Sequence, residues 1–283
     1  MHDYILTLSC PDRMGIVHAF SAWLLTQHGN IVQAQQFGDS DSGQFFLRVH
    51  FSLPVEKMTA ELQGDFFPVA ERFQMQATFH SAIRKTRLLI LVSRQGHCLN
   101  DLLFRVQSGQ MPAEVAAVVS NHPDLEPLAR AHDLPFHHLP VSADTRAQQE
   151  QQILNLVERN QVDLVVLARY MQILSTDLCK ALEGRAINIH HSFLPSFKGA
   201  RPYYQAHARG VKLIGATAHY VTQDLDEGPI IEQDVARVDH AMSPQDLTRI
   251  GGDTESMVLS RAVRWHVEHR ILMNGRRTVV FRQ

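Results

Sequence analysis

Two polar segments of the sequence carry side chains that could act on a carbonyl group. The first, Asn188–Pro195, begins with Asn188 and His190, which are two residues apart. Residues at this spacing on a β-strand project to the same side, so an amide and an imidazole would be presented together. The second segment, Thr222–Pro229, carries three carboxylates, among them Asp226, and ends in Gly-Pro.

An amide, an imidazole and a carboxylate suit the attack of a nucleophile on a carbonyl carbon. The Asn188 amide could donate a hydrogen bond to an oxygen that becomes negative. The His190 imidazole could donate to the same oxygen or carry a proton, and the Asp226 carboxylate could orient the imidazole or the nucleophile. This chemistry needs no redox cofactor and no covalent nucleophile. Each residue alone is more often a turn former or a structural side chain, so the prediction depends on the three acting together.

The 17 histidines raise the question of a metal site. Four of them form the adjacent pairs His137-His138 and His190-His191. Adjacent side chains on a strand point to opposite faces, so one ion cannot easily collect both members of a pair. His266 and His269 do not have the helical spacing of the zinc proteases. We therefore expect no metal and no cofactor.

The apolar pattern of the first part of the chain predicts the order strand, helix, strand, strand, helix, strand. The strands are predicted at Tyr4–Leu8, Ile31–Phe37, Phe45–Leu53 and Met75–Phe79. Ile16, Phe20 and Leu24 recur at helical spacing in between. This βαββαβ order is the ferredoxin-like pattern. A polar stretch at Ser81–Arg87 predicts a boundary, which gives one domain at 1–84 and a second at 85–283.

The rest of the chain alternates buried strands with helices, which predicts a doubly wound, mostly parallel α/β sheet. The strands are predicted at Leu88–Val92, Val115–Val119, Phe136–Leu139, Val162–Ala168 and Ala186–His190. An antiparallel pair, a long helix and a final edge strand should follow. These are predicted at Ile214–Thr222 with Ile230–Val238, from Ser243 to about Met273, and at Thr278–Phe281. Ligands of such sheets bind outside the carboxyl ends of the strands, where Asn188 and His190 are expected.

The composition is that of an ordinary globular protein, with 45% hydrophobic and 20% charged residues and a formal net charge of −2. That balance gives no electrostatic support to nucleic-acid binding. No apolar run is long enough to predict a membrane span, and the N-terminus lacks the pattern of a secretory signal. We expect a cytoplasmic protein without nucleic-acid or membrane partners. Its three separated cysteines, Cys10, Cys98 and Cys179, should stay reduced.

Three blocks of the sequence resemble the formyl-folate transferase and hydrolase family. They are Asn188-Ile189-His190, Ser192-x-Leu194-Pro195-x-x-x-Gly199 and Leu225-Asp226-x-Gly228-Pro229. The spacing of the blocks also fits, and the N-terminal part resembles the ACT domain that precedes the catalytic domain in the hydrolase branch. The resemblance therefore covers nearly the whole chain. It implies that Asn188, His190 and Asp226 form the catalytic trio, with His191 and Asp224 as neighbours outside it.

The resemblance also implies a substrate, 10-formyltetrahydrofolate. Its hydrolysis would give tetrahydrofolate and formate, supply formate for purine synthesis and balance the one-carbon folate pools. The stretch Leu167–Ser175 is similar to the family's folate-binding wall, and the loop that carries Asp226 borders the folate. The substrate-binding residues implied in this way are Arg169, Tyr170, Met171, Ile173, Leu174 and Gly228. The alternative reading is that Met171, Ile173 and Leu174 belong to the core.

The N-terminal part resembles ACT modules, which bind small effectors at an interface between copies of the chain. Their first loop and helix start match Asp12, Arg13, Met14, Gly15 and Ile16. Backbone N–H groups at that helix start could hold the carboxylate of an amino acid. Family analogy suggests glycine or methionine as the effector and a homo-oligomer as the assembly. The alternative is a dimerisation domain without a ligand.

Two transferase branches of the family share this chemistry. Where the ribonucleotide branch has a glycine-rich phosphate cradle, the segment Ser93–Leu102 retains only Gly96, although Arg94 could still pair with a phosphate. The tRNA branch carries a further nucleic-acid-binding domain, which we do not expect here. Three segments, Phe193, Phe197–Tyr203 and Gly215–Tyr220, look like those of the hydrolases. We therefore expect water as the nucleophile, with a formyltransferase for an amine acceptor and a non-catalytic folate or amino-acid regulator as alternatives.

Overall fold

The computed structural model describes residues 1–192 and 202–282. The residues of the sequence motif at 193–201, which include Phe193, Leu194, Pro195 and Gly199, lie outside the described residues. The chain divides into two compact units. One consists of Met1–Lys85 with Glu268–Gln283, and the other is Thr86–Val267.

The first unit has the ferredoxin-like order that the sequence predicts. Its elements are β1 (His2–Pro11), α1 (Ile16–Thr26), β2 (Asn30–Asp39), β3 (Gln44–Leu53), α2 (Thr59–Phe73) and β4 (Gln76–Ser81). The strands form one antiparallel sheet in the order β2-β3-β1-β4. Helix α1 buries Phe20 and Trp23 on its inner face, as the helical spacing requires. Trp23 packs edge-on against Phe66 of α2 with ring centroids 5.0 Å apart, so aromatic contacts join the helices over the sheet.

The second unit is built on a seven-stranded sheet. Its first elements are β5 (Thr86–Val92), α3 (His97–Gln107), β6 (Ala113–Ser120), α4 (Glu126–Arg130), β7 (Phe136–His138) and α5 (Arg146–Arg159). They are followed by β8 (Leu164–Leu167), α6 (Thr176–Ala181), β9 (Ala186–His190), α7 (Pro202–Ala208), β10 (Leu213–Tyr220), β11 (Ile230–Arg237) and α8 (Pro244–Val267). The strand order is β11-β10-β9-β8-β5-β6-β7.

Strands β5 to β9 run parallel, and β10 is antiparallel to both β9 and β11. The doubly wound, mostly parallel sheet is therefore confirmed, as is the antiparallel pair. Leu88–Val92 is fully buried because helices cover both faces of a parallel sheet. At the start of α8, Ser243 Oγ accepts from the Asp246 N–H, and the Asp246 carboxylate accepts from the Ser243 N–H, so these two residues cap the helix reciprocally.

The prediction was wrong about the end of the long helix. Helix α8 stops at Val267, and the chain continues as a hairpin, β12 (Ile271–Asn274) and β13 (Arg277–Val280). His269 has a left-handed backbone with φ 52°, which ends the helical path. Residues 268–283, expected in the second domain, instead belong to the first unit. There Leu272 and Phe281 are buried against Phe46 of β3.

No helix in the described part of the chain is long and apolar enough to cross a membrane.

Candidate active site

Strand β9 presents two of the predicted catalytic side chains at its carboxyl end. Asn188 and His190 lie on the same side of the strand, as their spacing requires. On the antiparallel neighbour β10, His219 stands opposite Asn188 and Thr217 stands opposite His190. The end of β9 is therefore lined on one side by polar side chains from a second strand.

Asp226 reaches these side chains from the loop after β10. Its Oδ2 lies 3.2 Å from His190 Nδ1, so the structure brings the carboxylate and the imidazole into hydrogen-bond contact. Asp226 has a left-handed backbone with φ 58°, a conformation that Asp tolerates better than most residues. Two residues later, a Cβ at Gly228 would lie 1.8 Å from the Tyr220 carbonyl oxygen. Only glycine therefore allows the loop to fold back onto β10 and deliver Asp226.

His219 is a site residue that the sequence analysis missed. It is buried, its Nδ1 donates to the Tyr220 carbonyl at 2.9 Å, and its Nε2 lies 3.3 Å from Asn188 Nδ2. Because a carbonyl only accepts, Nδ1 carries a proton, which leaves Nε2 of the neutral ring to accept from the Asn188 amide. The same Nε2 lies 3.7 Å from Asp226 Oδ1. His219 therefore links the amide and the carboxylate of the predicted trio.

Two electrostatic effects set the charges in the site. Burial alone would raise the pKa of Asp226, but the hydrogen bond from His190 and the charge on that ring outweigh it and hold the pKa well below its ordinary value. Asp226 is therefore an anion at neutral pH. The His191 ring stacks on His190 with centroids 4.8 Å apart. Burial first, then the charges of Arg169 and His190, lower the pKa of His191 to about 4, so this neighbour is neutral.

A cavity of about 700 Å³ opens over these side chains. Asn188, His190, Asp226 and His219 line one part of it, and so do all the predicted substrate-binding residues. These are Arg169, Tyr170, Met171, Ile173, Leu174 and Gly228. A cavity of this size accommodates a ligand as large as a folate.

The alternative reading of the wall residues as core fails for two of the three. Met171 is 57% exposed and Ile173 is 61% exposed, so neither belongs to the core. Leu174 is half-buried and packs against the core cluster beneath β8. Apolar side chains that stand free at the edge of a cavity are typical of a ligand-binding wall.

Three side chains of helix α5 hold this wall through hydrogen bonds. Gln149 donates to the Tyr170 hydroxyl at 2.6 Å, and Glu150 accepts from the Ser175 N–H at 2.8 Å. Arg146 donates to the carbonyl of Ile173. A second cavity of about 300 Å³ lies here, lined by Arg146, Gln149, Glu150 and the wall. Residues 170–174 therefore line both cavities, and Arg146 lies at the smaller one.

One group of side chains outside the predicted trio has the composition of a metal site. Within residues 1–192 and 202–282, His97, Cys98 and Glu255 bring three potential ligand atoms within 4.8 Å of one another. Arg169 Nε lies 3.2 Å from Glu255 Oε2 and places a positive charge where a cation would bind. Burial also raises the pKa of the Cys98 thiol far above its ordinary value, which disfavours the thiolate that metals need. These donors therefore suit an internal ion pair better than a metal ion.

The predicted effector loop lies in the first unit. Gly15, with φ 94°, precedes α1 without any side-chain cap, so N–H groups at the helix start have no side-chain acceptor. Arg13 donates to the carbonyl of Arg72 at 2.7 Å and lies over the Phe73 ring. Met14 is 98% exposed, whereas Ile16 is buried in the core. The loop thus presents backbone donors and an exposed Met14 side by side.

Known proteins resemble this chain in both sequence and structure. The family model described as formyl transferase matches residues 86–263. The formyltetrahydrofolate deformylase of Corynebacterium sp. (strain P-1) is 50% identical over 282 residues, which is 99% of this chain and 98% of that protein. The crystal structure of the formyltetrahydrofolate deformylase from Burkholderia mallei superposes with a TM-score of 0.94 at 51% identity and covers both chains completely.

A transferase of the same family matches only part of the chain. The glycinamide ribonucleotide transformylase 1 from Symbiobacterium toebii superposes with a TM-score of 0.66 at 33% identity. The match covers 70% of this chain and 95% of that one. The two deformylases named above match the whole length instead.

Proposed function

This chain belongs to the formyl transferase family, and on that basis we propose that it hydrolyses 10-formyltetrahydrofolate to tetrahydrofolate and formate, with Asn188, His190 and Asp226 as its catalytic residues. The observation that carries the proposal is the 3.2 Å contact between His190 and Asp226 beside Asn188, at the wall of a folate-sized cavity. The chain that has this arrangement also matches formyltetrahydrofolate deformylases over its full length. The formate would supply purine synthesis.

The contacts around Asp226 support a separate role for each member of the trio. The Asp226 carboxylate accepts a hydrogen bond from water and orients it toward the formyl carbon. With its pKa held low, it acts more through orientation and charge than as a strong base. When His190 carries both protons, Nδ1 donates to Asp226 and Nε2 remains to donate to the formyl oxygen. One Asn188 N–H is held by His219, and the other donates to the same oxygen.

The reaction then proceeds through a tetrahedral centre. The oxygen of water forms a bond to the formyl carbon, and the former carbonyl oxygen becomes an oxyanion held by Asn188 and His190. The bond from that carbon to N10 breaks as N10 accepts a proton that came from the water. Tetrahydrofolate leaves with this proton, and the formic acid left behind ionises to formate. Every atom comes from the substrate and one water molecule, so no cofactor is required.

The cavities suggest how the rest of the substrate lies. The apolar wall Met171–Leu174 suits the flat pterin and benzoyl rings, and Arg146 in the adjacent cavity suits the carboxylates of the glutamate tail. Gly228 contributes by its close packing on Tyr220, which places the loop at the cavity rim.

The first unit has a separate proposed role. Uncapped N–H groups at the start of α1, beside Asp12 and Arg13, suit the carboxylate of an amino-acid effector such as glycine or methionine. The effector would bind between copies of the chain, which makes the protein a homo-oligomer. Adding glycine or methionine to the hydrolysis assay tests this role, since an effector must change the rate or the KM.

The hydrolysis itself is tested by incubating the purified chain with 10-formyltetrahydrofolate alone. We expect tetrahydrofolate and formate in equal amounts without any added amine. If tetrahydrofolate forms only when an amine is added, and the formyl group is then found on that amine, the chain is a transferase. If the substrate binds but stays intact under both conditions, the chain is a folate-binding regulator.

A further inference from the structure

A buried carboxylate in the second unit lies outside the predicted trio but is joined to the folate wall. Glu255 of α8 is enclosed by donors from three other elements. Its Oε2 accepts from His97 Nε2 at 2.7 Å and forms an ion pair with Arg169, whose Nε lies 3.2 Å away, and its Oε1 accepts from the Tyr203 hydroxyl at 2.6 Å. Gly251, one turn earlier, gives Tyr203 the room to reach it, since a Cβ there would lie 2.1 Å from the tyrosine ring.

Arg169 is the member of this cluster that faces the site. It follows β8 and immediately precedes residues 170–174 of the wall, and it has a left-handed backbone with φ 65°. For a long side chain this conformation is disfavoured, so neighbouring contacts must hold it. Arg169 Nε donates to Gln95 Oε1 at 2.9 Å as well as facing Glu255, and its Nη1 has no hydrogen-bond partner among the described residues. The guanidinium is therefore fixed through Nε.

The turn at Arg169 determines where the wall begins. Just before it, the Ala168 N–H donates to the Leu91 carbonyl, so the chain is still fixed to β5. Just after it, the Met171 N–H donates to Ser93 Oγ at 2.9 Å, and the chain has already turned into the wall. A change in the backbone of Arg169 would thus shift the wall relative to β9, where Asn188 lies.

We propose that Glu255 is a positioning residue for the folate wall, because its ion pair with Arg169 holds the left-handed turn from which residues 170–174 extend. Glu255 touches neither substrate nor water in this account. Since the ligand of the wall is the folate, the inference rests on the proposed function. It predicts that loss of the ion pair weakens folate binding and leaves the chemical step largely intact.

The test measures KM, kcat and the Kd of tetrahydrofolate for E255Q, R169A and R169G. E255Q should raise KM and Kd about tenfold and change kcat less than about threefold, since binding and not transition-state stabilisation is lost. R169A should raise KM and Kd about fivefold more than R169G does, because glycine adopts a positive φ without strain and forms the turn unaided. A role of the guanidinium in binding folate directly would make R169G and R169A equally poor.

D234N serves as the matched control, since Asp234 pairs with Arg261 of helix α8 and is not among the residues that line the larger cavity. It should behave as the wild type. The inference is overturned if R169G matches R169A, or if E255Q lowers kcat at unchanged KM. If E255Q does not fold, the two Arg169 variants decide the question. A wild type that releases no formate refutes the proposed function. In that case the Kd values of tetrahydrofolate for R169A and R169G still test whether Arg169 acts by holding the turn.

Discussion

Asp226 and Glu255 are both acidic residues of the second unit whose pKa is lowered by imidazole donors against the effect of burial. They differ in what else can reach them. The Asp226 side chain is 26% exposed and lines the cavity, whereas that of Glu255 is 1% exposed and enclosed by His97, Arg169 and Tyr203. A carboxylate with an open side can meet substrate and water. A carboxylate whose two oxygens both contact protein donors can only position other parts of the protein.

Removing the charge of Asp226 should have the largest effect. D226N keeps the size of the side chain but loses the anion that orients water and pairs with His190. We expect kcat to fall by about 10²–10⁴-fold, the usual range for this kind of group, with little change in KM. Steady-state kinetics on a variant with a native circular dichroism spectrum is the measurement. A rise in KM with kcat nearly unchanged would instead place Asp226 in the same class as Glu255.

Removing the oxyanion donor should have the next largest effect. N188A loses an amide that donates to the developing charge, so kcat should fall by about 10²–10³-fold. Single-turnover kinetics under saturating folate measures the chemical step. If N188A reacts at the normal rate, the amide serves only to orient His219, which lies 3.3 Å away.

Acid unfolding tests whether Glu255 is held as an anion in the folded chain. The pKa of Glu255 is lower in the folded chain than in the unfolded one, because hydrogen bonds from His97 and Tyr203 and the charge of Arg169 outweigh the opposing effect of burial. Its contribution to the free energy of unfolding is therefore complete above about pH 5, beyond its unfolded pKa, and is lost as the pH falls through the folded pKa.

E255Q should accordingly lose less stability than the wild type between about pH 5 and pH 3, because Gln does not titrate there. Urea denaturation at several pH values gives these free energies, and D234N provides the comparison for a carboxylate in an exposed pair. Parallel curves for E255Q and the wild type would show that Glu255 is not bound as an anion in the folded state.

The smallest expected effect concerns Arg146, which lines the smaller cavity. R146A removes the cation proposed to meet the glutamate tail and the donor to the Ile173 carbonyl. KM should rise about three- to tenfold while kcat stays within about twofold, as expected for a partly exposed charge contact. With a substrate that lacks the glutamate tail, R146A should raise KM less than it does with the full substrate.

The sequence predicted the parts of the site that lie within one strand or one loop. The apolar run that ends in Asn188-Ile189-His190 identified β9 with its correct bounds, because a buried strand and its polar end are both local patterns. The Gly228-Pro229 pair marked the loop that carries Asp226 in the same way. Neither pattern required knowledge of a distant segment.

The missed residues depend on pairing between segments that the sequence does not specify. His219 enters the site because β10 pairs antiparallel with β9 at a register that sets it opposite Asn188. That register was not predicted, although the run of apolar and small residues ending in His219-Tyr220 was a usable signal. Glu255 lies within a long helix, and nothing local distinguishes it from an exposed acid. The error at residues 268–273 has the same origin, since Leu272 leaves the helical path for a contact with Phe46.

The central claim is that water attacks the formyl carbon at the convergence of Asn188, His190 and Asp226. The most direct test is hydrolysis of 10-formyltetrahydrofolate in ¹⁸O-labelled water without any amine, followed by mass spectrometry of the formate. We predict one labelled oxygen per formate from the wild type and almost no formate from D226N. Unlabelled formate, or equal labelled yields from both proteins, would contradict it.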